Sequence, residues 1–236
     1  SVTGANFLVE GGGGRFLIDC GLEQGTKQAD ENNWSPFSYD VSNVDVLFIS
    51  HAHIDHVGRI PKLVYDGFKG KIYSTIPTKE ISELMLEDTA HILSKGNNEM
   101  LKSVYSEANL KKALDSWEVV DYHQDISVGP DMIFRYRDAG HVLGSGMLEL
   151  IYNNKKIVFT GDLGNSPSPL LRDTEMLKGV DYMLMESVYG DRNHVARDQR
   201  RARLEEIIED NYQRKGVIVV PTFSLERSQE LLFEIN

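Results

Sequence analysis

Ser50-His51-Ala52-His53-Ile54-Asp55-His56-Val57-Gly58 follows directly on the apolar run Val44-Asp45-Val46-Leu47-Phe48-Ile49. The run is short, β-branched at several positions and bounded by polar residues, which is the pattern of a buried strand. Four groups able to bind a metal therefore sit on the loop leaving that strand, where rigid scaffold meets solvent. Alternate residues of an extended segment share a face, so His51 and His53 can point at one metal. The turn after them swings Asp55 and His56 towards a second. Neutral imidazole suits zinc, and a carboxylate beside it suits a site that also holds water. The competing reading is a set of unrelated surface or core histidines. It requires three of the chain's seven histidines to gather beside an aspartate by accident.

Working outward, 236 residues are enough for one large domain or two small ones with a substantial core. Hydrophobic content of 41% and charged content of 26% are ordinary for a globular protein, so composition alone excludes a fibrous or disordered chain. No apolar run approaches the roughly 20 residues that span a bilayer, and no signal-peptide pattern opens the chain. The single cysteine, Cys20, excludes an internal disulfide framework and fits a reducing cytoplasm, which is the expected location. It reads as a small core residue, since no partner activates it as a nucleophile. A net charge of −11 argues against broad adhesion to nucleic acid, but leaves room for a nuclease whose metals and local groove hold phosphate.

Phe7-Leu8-Val9 and Arg15-Phe16-Leu17-Ile18-Asp19 are short apolar runs around Gly11-Gly12-Gly13-Gly14, the pattern of a hairpin. Those glycines lack the Lys-Ser/Thr and helix of a phosphate loop, so they form only a turn. Asp19 reads equally as a turn aspartate or as a residue orienting a metal-bound histidine. Glu23 to Asn43 reads as a polar loop. Val57 to Tyr65 has helical spacing, Lys71 to Ser74 is a strand, and Pro77 to Leu93 is a helix with Ile81, Leu84, Met85 and Ile92 on one side. His91 on that helix reads as packed or capping. Lys95 to Val104 is polar, and Ser106 to Trp117 is a helix capped by Ser106. These helices look like an insertion, about 78–117, on one face of a sheet.

Strands resume at Trp117 to Val120, Ile126 to Val128 and Met132 to Arg137, followed by the glycine-flanked loop Gly140-His141-Val142-Leu143-Gly144. Met147 to Tyr152 and Lys156 to Thr160 form a hairpin about Asn153-Asn154, and the second strand ends in Gly161-Asp162. Asp181 to Met185 and Gly216 to Pro221 read as buried strands. Between them lies a charged helix from Ala196 to Arg214. Arg197, Arg200, Arg201 and Arg203 near its start read as a solvated face or, alternatively, as a phosphate-facing one. A last helix begins at about Leu225. The alternation predicts an α/β fold, two mixed sheets in a sandwich with helices outside. His51, His53 and His141 make a three-histidine set that leaves zinc an open position. Asp55, His56 and Asp162 offer a carboxylate-richer set, and an aspartate can bridge two metals. Two ions about 3.5–4 Å apart acidify a shared water and stabilise both oxygens of an in-line phosphoryl displacement.

His51-Ala52-His53-Ile54-Asp55-His56 resembles the HxHxDH signature of the metallo-β-lactamase superfamily, with Asp19, Gly140-His141 and Thr160-Gly161-Asp162 in that superfamily's order. Glu186-Ser187-Val188-Tyr189-Gly190-Asp191-Arg192-Asn193-His194 is similar to the segment opening the β-CASP cap of its nucleic-acid-processing members. These include RNase J and the endonuclease subunit of the pre-mRNA cleavage and polyadenylation machinery. Pro221-Thr222-Phe223-Ser224 with Arg227 resembles the cap's first strand–helix unit. The resemblance implies an αββα sandwich over residues 1–185, an incomplete β-CASP cap over 186–236, and zinc-dependent hydrolysis of RNA phosphodiesters. It implies two zinc ions: His51, His53 and His141 on one, Asp55 and His56 on the other, Asp162 bridging, and Asp19 in support. Catalytic roles fall to Asp55, to Glu186 beside the site and to His194. In the family the cap continues and supplies two further histidines, whereas no histidine follows His194, so a piece of a longer protein is expected. The implied partner is single-stranded RNA, with DNA second, no membrane, and a homodimer left open. The alternatives are a thioesterase- or lactonase-type hydrolase on the same fold and a non-catalytic RNA-processing subunit.

Overall fold

The computed structural model describes residues 3–129, 131–192 and 199–235. The chain divides into two compact units, Ser1–Glu186 and Ser187–Asn236. No helix among the described residues is long and apolar enough to cross a membrane.

The first unit holds two five-stranded sheets. One is built from β1 (Phe7–Gly11), β2 (Gly14–Ile18), β3 (Val46–Phe48), β4 (Lys71–Ser74) and β5 (Trp117–Val119), in that spatial order. Only β1–β2 is antiparallel; β2, β3, β4 and β5 run parallel. The other contains β6 (Ile126–Ser127), β7 (Met132–Asp138), β8 (Gly146–Tyr152), β9 (Lys155–Phe159) and β10 (Tyr182–Leu184), in the order β10-β9-β8-β7-β6. Its pairs are antiparallel apart from β9–β10. The β8–β9 turn puts Asn153 and Asn154 at φ 49° and 58°, the left-handed pair that suits a two-residue hairpin.

Alternation along β2 and β3 decides the two layers of core. Phe16, Ile18, Val46 and Phe48 point between the sheets, where they meet Phe134, Tyr136, Leu148, Leu150 and Phe159. The Phe48 and Phe134 rings stack with centroids 4.1 Å apart. Leu17 and Leu47 point the other way, under the helices, with Ile72, Ile60, Leu63, Leu86, Val104 and Trp117. Leu47 and Phe48 are both wholly buried, so β3 is covered on both faces, as its continuous apolar run requires.

The helices are α1 (Lys27–Trp34), α2 (Ile54–Val57), α3 (Ile60–Tyr65), α4 (Ile76–Ser94), α5 (Glu99–Val104) and α6 (Glu107–Asp115). Two of them lie where the sequence reads as loop. α1 has no apolar stripe; Thr26 caps it by accepting from the Ala29 N–H at 3.1 Å, and the Asn33 amide bonds both backbone groups of Glu23 at 2.7 and 2.8 Å. α5 starts because the Asn98 side chain accepts from the Met100 and Leu101 N–H groups, so the Asn-rich stretch is a helix cap. α2 begins at Ile54, before the expected start, and breaks after Val57 where the Arg59 N–H turns to the Cys20 carbonyl at 2.8 Å. Pro61, without an N–H, restarts the chain as α3. On α4 the inward face is Thr78, Ser82 and Leu86, whereas Leu84 and Ile92 of the expected stripe are exposed. Ser106 precedes α6 without a side-chain cap; the Asn109 amide instead donates to the Ser103 and Val104 carbonyls.

Tyr182, Met183 and Leu184 of β10 are exposed, contrary to the buried strand expected, because β10 pairs on one side only and forms the sheet's edge. The second unit contains α7 (Arg200–Gln213) and α8 (Arg227–Ile235). Gly216 to Pro221 forms neither ladder nor core: Val217 and Val219 are almost fully exposed. An apolar, β-branched run becomes a strand only where another strand accepts its hydrogen bonds, and none of the described residues does so.

Candidate metal centre

The site straddles the ends of both sheets. β3 delivers Ser50, His51 and His53; α2, whose N-cap is His53, carries Asp55 and His56 on its first turn. The second sheet contributes His141 from the β7–β8 loop and Asp162 from the loop after β9. The seam is bonded across, with the Gly146 N–H donating to the Ser50 carbonyl at 2.8 Å. Close approach beneath α2 depends on Gly21, where a Cβ would lie 1.5 Å from the Asp55 carbonyl oxygen.

Two groups of candidate side chains share one carboxylate, and the first forms a cluster able to hold a metal ion. His51, His53, His141 and Asp162 each aim one atom at a common point, all within 4.8 Å of one another. His53 Nδ1 lies 3.1 Å from His51 Nε2 and 3.2 Å from His141 Nε2, and Asp162 Oδ2 lies 3.9 and 3.6 Å from those two Nε2 atoms. A tetrahedral zinc site with arms of about 2.0–2.1 Å has edges of about 3.3–3.4 Å, so a metal fits this cage with shifts of a few tenths of an ångström. The other oxygen, Asp162 Oδ1, lies 3.4 Å from His56 Nε2, which is itself 3.9 Å from Asp55 Oδ2. Asp162 thus faces each set with a different oxygen.

Behind these residues, Asp19 is 1% exposed, and its carboxylate meets three groups of the histidine loop. Its Oδ1 accepts from the Ser50 N–H at 2.7 Å, and its Oδ2 from the Ser50 hydroxyl at 2.8 Å and faces His56 Nδ1 at 2.7 Å. Ser50 Oγ also lies 3.0 Å from His51 Nδ1. Asp19 therefore fixes the His56 ring directly and the His51 ring through Ser50, leaving both Nε2 atoms turned to the site. Asp19 itself stands at φ 60°, a strained position for a non-glycine residue that these bonds hold in place.

The electrostatics separate the sets. Burial, then the neighbouring imidazoles, hold His51 well below the usual histidine range. Burial also lowers His53 against the pull of Asp162, and it brings His141 down to about 4. These three rings are neutral at pH 7, with lone pairs available to a metal. His56 is the opposite. Burial would lower it, but the Asp19 and Asp162 carboxylates outweigh burial and raise it to about 10. The two carboxylates thus favour a proton on His56, and binding of a metal at its Nε2 would compete with that proton. Burial raises Asp55, whereas for Asp162 the His56 hydrogen bond and the surrounding imidazoles overcome burial and lower it.

Glu186 accepts from the Leu163 N–H at 3.0 Å, one residue beyond Asp162, and its charge partly offsets the burial of His141. His194 and Arg197 lie outside the described residues. His91 is exposed near the end of α4 and joins neither ligand set. Burial lifts the Cys20 thiol to about 12, which makes it an inert core group. Sequence reasoning passed over Ser50, Thr75 and Thr78; lone hydroxyls carry no spacing signature, and only the folded arrangement shows what they hold.

Comparison with known proteins sets this geometry in a family. The chain is 33% identical over 232 residues to Ribonuclease TTHA0252 of Thermus thermophilus, covering 98% of this chain and 52% of that protein. It is 32% identical over 227 residues to an RNase J-like protein of Methanocaldococcus jannaschii, covering 94% and 49%. It is 32% identical over 232 residues to Cleavage and polyadenylation specificity factor 73 of Drosophila melanogaster, covering 97% and 33%. The chain thus spans between a third and about half the length of these relatives. The family model described as the metallo-beta-lactamase superfamily matches residues 3–212, a stretch that contains the candidate metal-binding residues and both sheets. The chain belongs to the metallo-β-lactamase superfamily.

Proposed function

We propose that this chain carries the metal-dependent catalytic centre of a ribonuclease that hydrolyses RNA phosphodiester bonds, with single-stranded RNA as substrate. The observation that carries the reading is the shared carboxylate: Asp162 turns one oxygen to the three-histidine set and the other to Asp55 and His56. Two adjoining cation sites of this kind suit phosphoryl transfer, in which an attacking and a leaving oxygen both carry charge. The names of the relatives, ribonucleases and a cleavage factor, support the same substrate class.

In this reading His51, His53 and His141 would hold one zinc, Asp55 and His56 the other, and Asp162 would bridge. The bound cations would supply Lewis acidity towards a phosphate oxygen and lower the pKa of water. The rest is done by the chain. Asp55, on the first turn of α2 beside His56, would also accept a proton from water. Asp19 and Ser50 hold two of the imidazoles in one tautomer and orientation. Glu186, which accepts from the Leu163 N–H beside Asp162, would lie next to the site and pair with a group that protonates the leaving oxygen. Residues 186–236 are the opening of a β-CASP cap in this reading, on the motif Glu186 to His194.

The test is zinc content together with cleavage of single-stranded RNA, single-stranded DNA and a thioester, for the wild type and Asp55→Ala. Zinc uptake with RNA cleavage that Asp55→Ala abolishes supports the reading. Zinc uptake with hydrolysis of the thioester alone transfers it to a small-molecule hydrolase, and a metal-free, inactive protein makes it a non-catalytic subunit.

A further inference from the structure

His141 reaches the metal centre from the second sheet, whereas His51 and His53 come from the first. Something has to fix the distance between them. Within its own loop His141 is well anchored: its N–H and that of Val142 both donate to Ser145 Oγ, at 3.0 and 3.2 Å. Those bonds shape the loop without locating it against the first sheet. At the loop's far end the Gly146 N–H bonds the Ser50 carbonyl at 2.8 Å, and nearer His141 a second contact across the seam is made at Gly144. Its carbonyl accepts from two hydroxyls, Thr75 Oγ1 at 2.6 Å and Thr78 Oγ1 at 2.9 Å, both at the start of α4 directly after β4. Both threonines are buried, Thr78 completely. A carbonyl has two lone pairs, and here both are used. Gly144 stands at φ +85°, and a Cβ on it would lie 2.7 Å from the Thr78 nitrogen, so the loop passes as close to α4 as a backbone can.

We propose that Thr78, together with Thr75, is a positioning residue of the metal centre. The two hydroxyls clamp the loop backbone to the first sheet, and through it they set His141 Nε2 against His51 and His53. This rests on the metal-binding reading above. The two threonines are not equivalent. Thr75 Oγ1 also caps α4 by accepting from the Thr78 N–H, so replacing it would disturb the helix as well. The Thr78 hydroxyl has no capping duty. Thr78→Val keeps the side chain's shape and deletes the hydroxyl, which donates to Gly144 and also lies 3.0 Å from Thr75 Oγ1, while leaving the helix cap in place, which makes it the cleaner probe.

Cobalt(II) reports on the geometry of the centre through its visible absorption, independently of any activity. Loss of a partner outside the ligand shell costs about 10- to 100-fold in metal affinity. For Thr78→Val the expected result is an altered cobalt band and affinity about tenfold weaker, with both restored by Thr78→Ser. Thr89→Val is the control, because the Thr89 hydroxyl donates to the Met85 carbonyl within α4. It should lose a helix hydroxyl and keep the wild-type band. Thr78→Ala repeats the test without a second methyl pressed against the loop if the valine variant does not fold. A wild-type band and affinity in the Thr78 variants, even with a lowered melting temperature, would overturn the clamp. Failure of the wild type itself to take up cobalt would instead sink the metal centre, and the clamp with it.

Discussion

The two sheets furnish the metal centre in different ways. The first sheet gives four candidate ligands within six residues, set by the exit of one strand and the first turn of α2. The second gives His141 and Asp162, single residues on separate loops, with 20 positions between them. On the first side local chain geometry aims the side chains, and one buried carboxylate, Asp19, steadies two rings at once. On the second side Ser145 shapes the His141 loop, and bonds from across the seam, at Gly144 and Gly146, tie that loop to the first sheet. A compact motif thus takes most of its aim from its own strand and helix turn, while a dispersed ligand depends more on contacts between the sheets.

That contrast can be broken most severely where the two sides meet. Asp162→Asn should remove the charge that both sets share, with RNA cleavage falling by more than the roughly 100-fold that bounds the loss of outer-shell partners. Initial rates on single-stranded RNA read it, and a loss under tenfold would contradict the bridging role. Asp19→Ala acts only on the first side. Metal affinity should fall about 10- to 100-fold, and dye-competition titration should show it. Gly144→Ala acts only on the second. The left-handed backbone and the 2.7 Å approach to Thr78 together should cost about 1–3 kcal/mol in urea unfolding.

The smallest effect is at Cys20, on the first side behind the ligands. With its thiol raised from 9.0 to about 12 it stays protonated in the fold, while the unfolded chain ionises from about pH 9. The unfolded state therefore gains on the native one as pH climbs through that window, and Cys20→Ala should flatten this loss of stability above pH 9. At pH 8 the native thiol should not react with a disulfide reagent until denaturant is added. Prompt reaction in the native protein would contradict its burial.

The sequence was most legible where function and local structure coincide. The strand before Ser50 and the ligand cluster after it are contiguous, so periodicity and chemistry could be read from one stretch. The hairpins were legible for a similar reason, since Asn153-Asn154 is a turn whatever surrounds it. α1 was hidden because its stability comes from Thr26 and Asn33 bonding locally, with no apolar stripe to betray it. The buried side of α4 was misjudged because Thr78 and Ser82 pack inward, against the rule that large apolar residues mark the core face. Gly216 to Pro221 has the composition of a buried strand and forms none, because pairing is a property of two segments and only one is visible in a run of residues. The supporting hydroxyls of Ser50, Thr75 and Thr78 are illegible for the same reason: each matters through a partner 31 to 69 positions away.

The most direct test of a metal centre closed across two sheets is zinc titration by calorimetry of the wild type beside His141→Ala. The account predicts that the wild type binds zinc tightly and that His141→Ala, with the first-sheet motif His51 to His56 untouched, loses that tight site. Equal zinc affinity in both proteins would contradict it, and would mean that the first sheet's motif holds its metal alone.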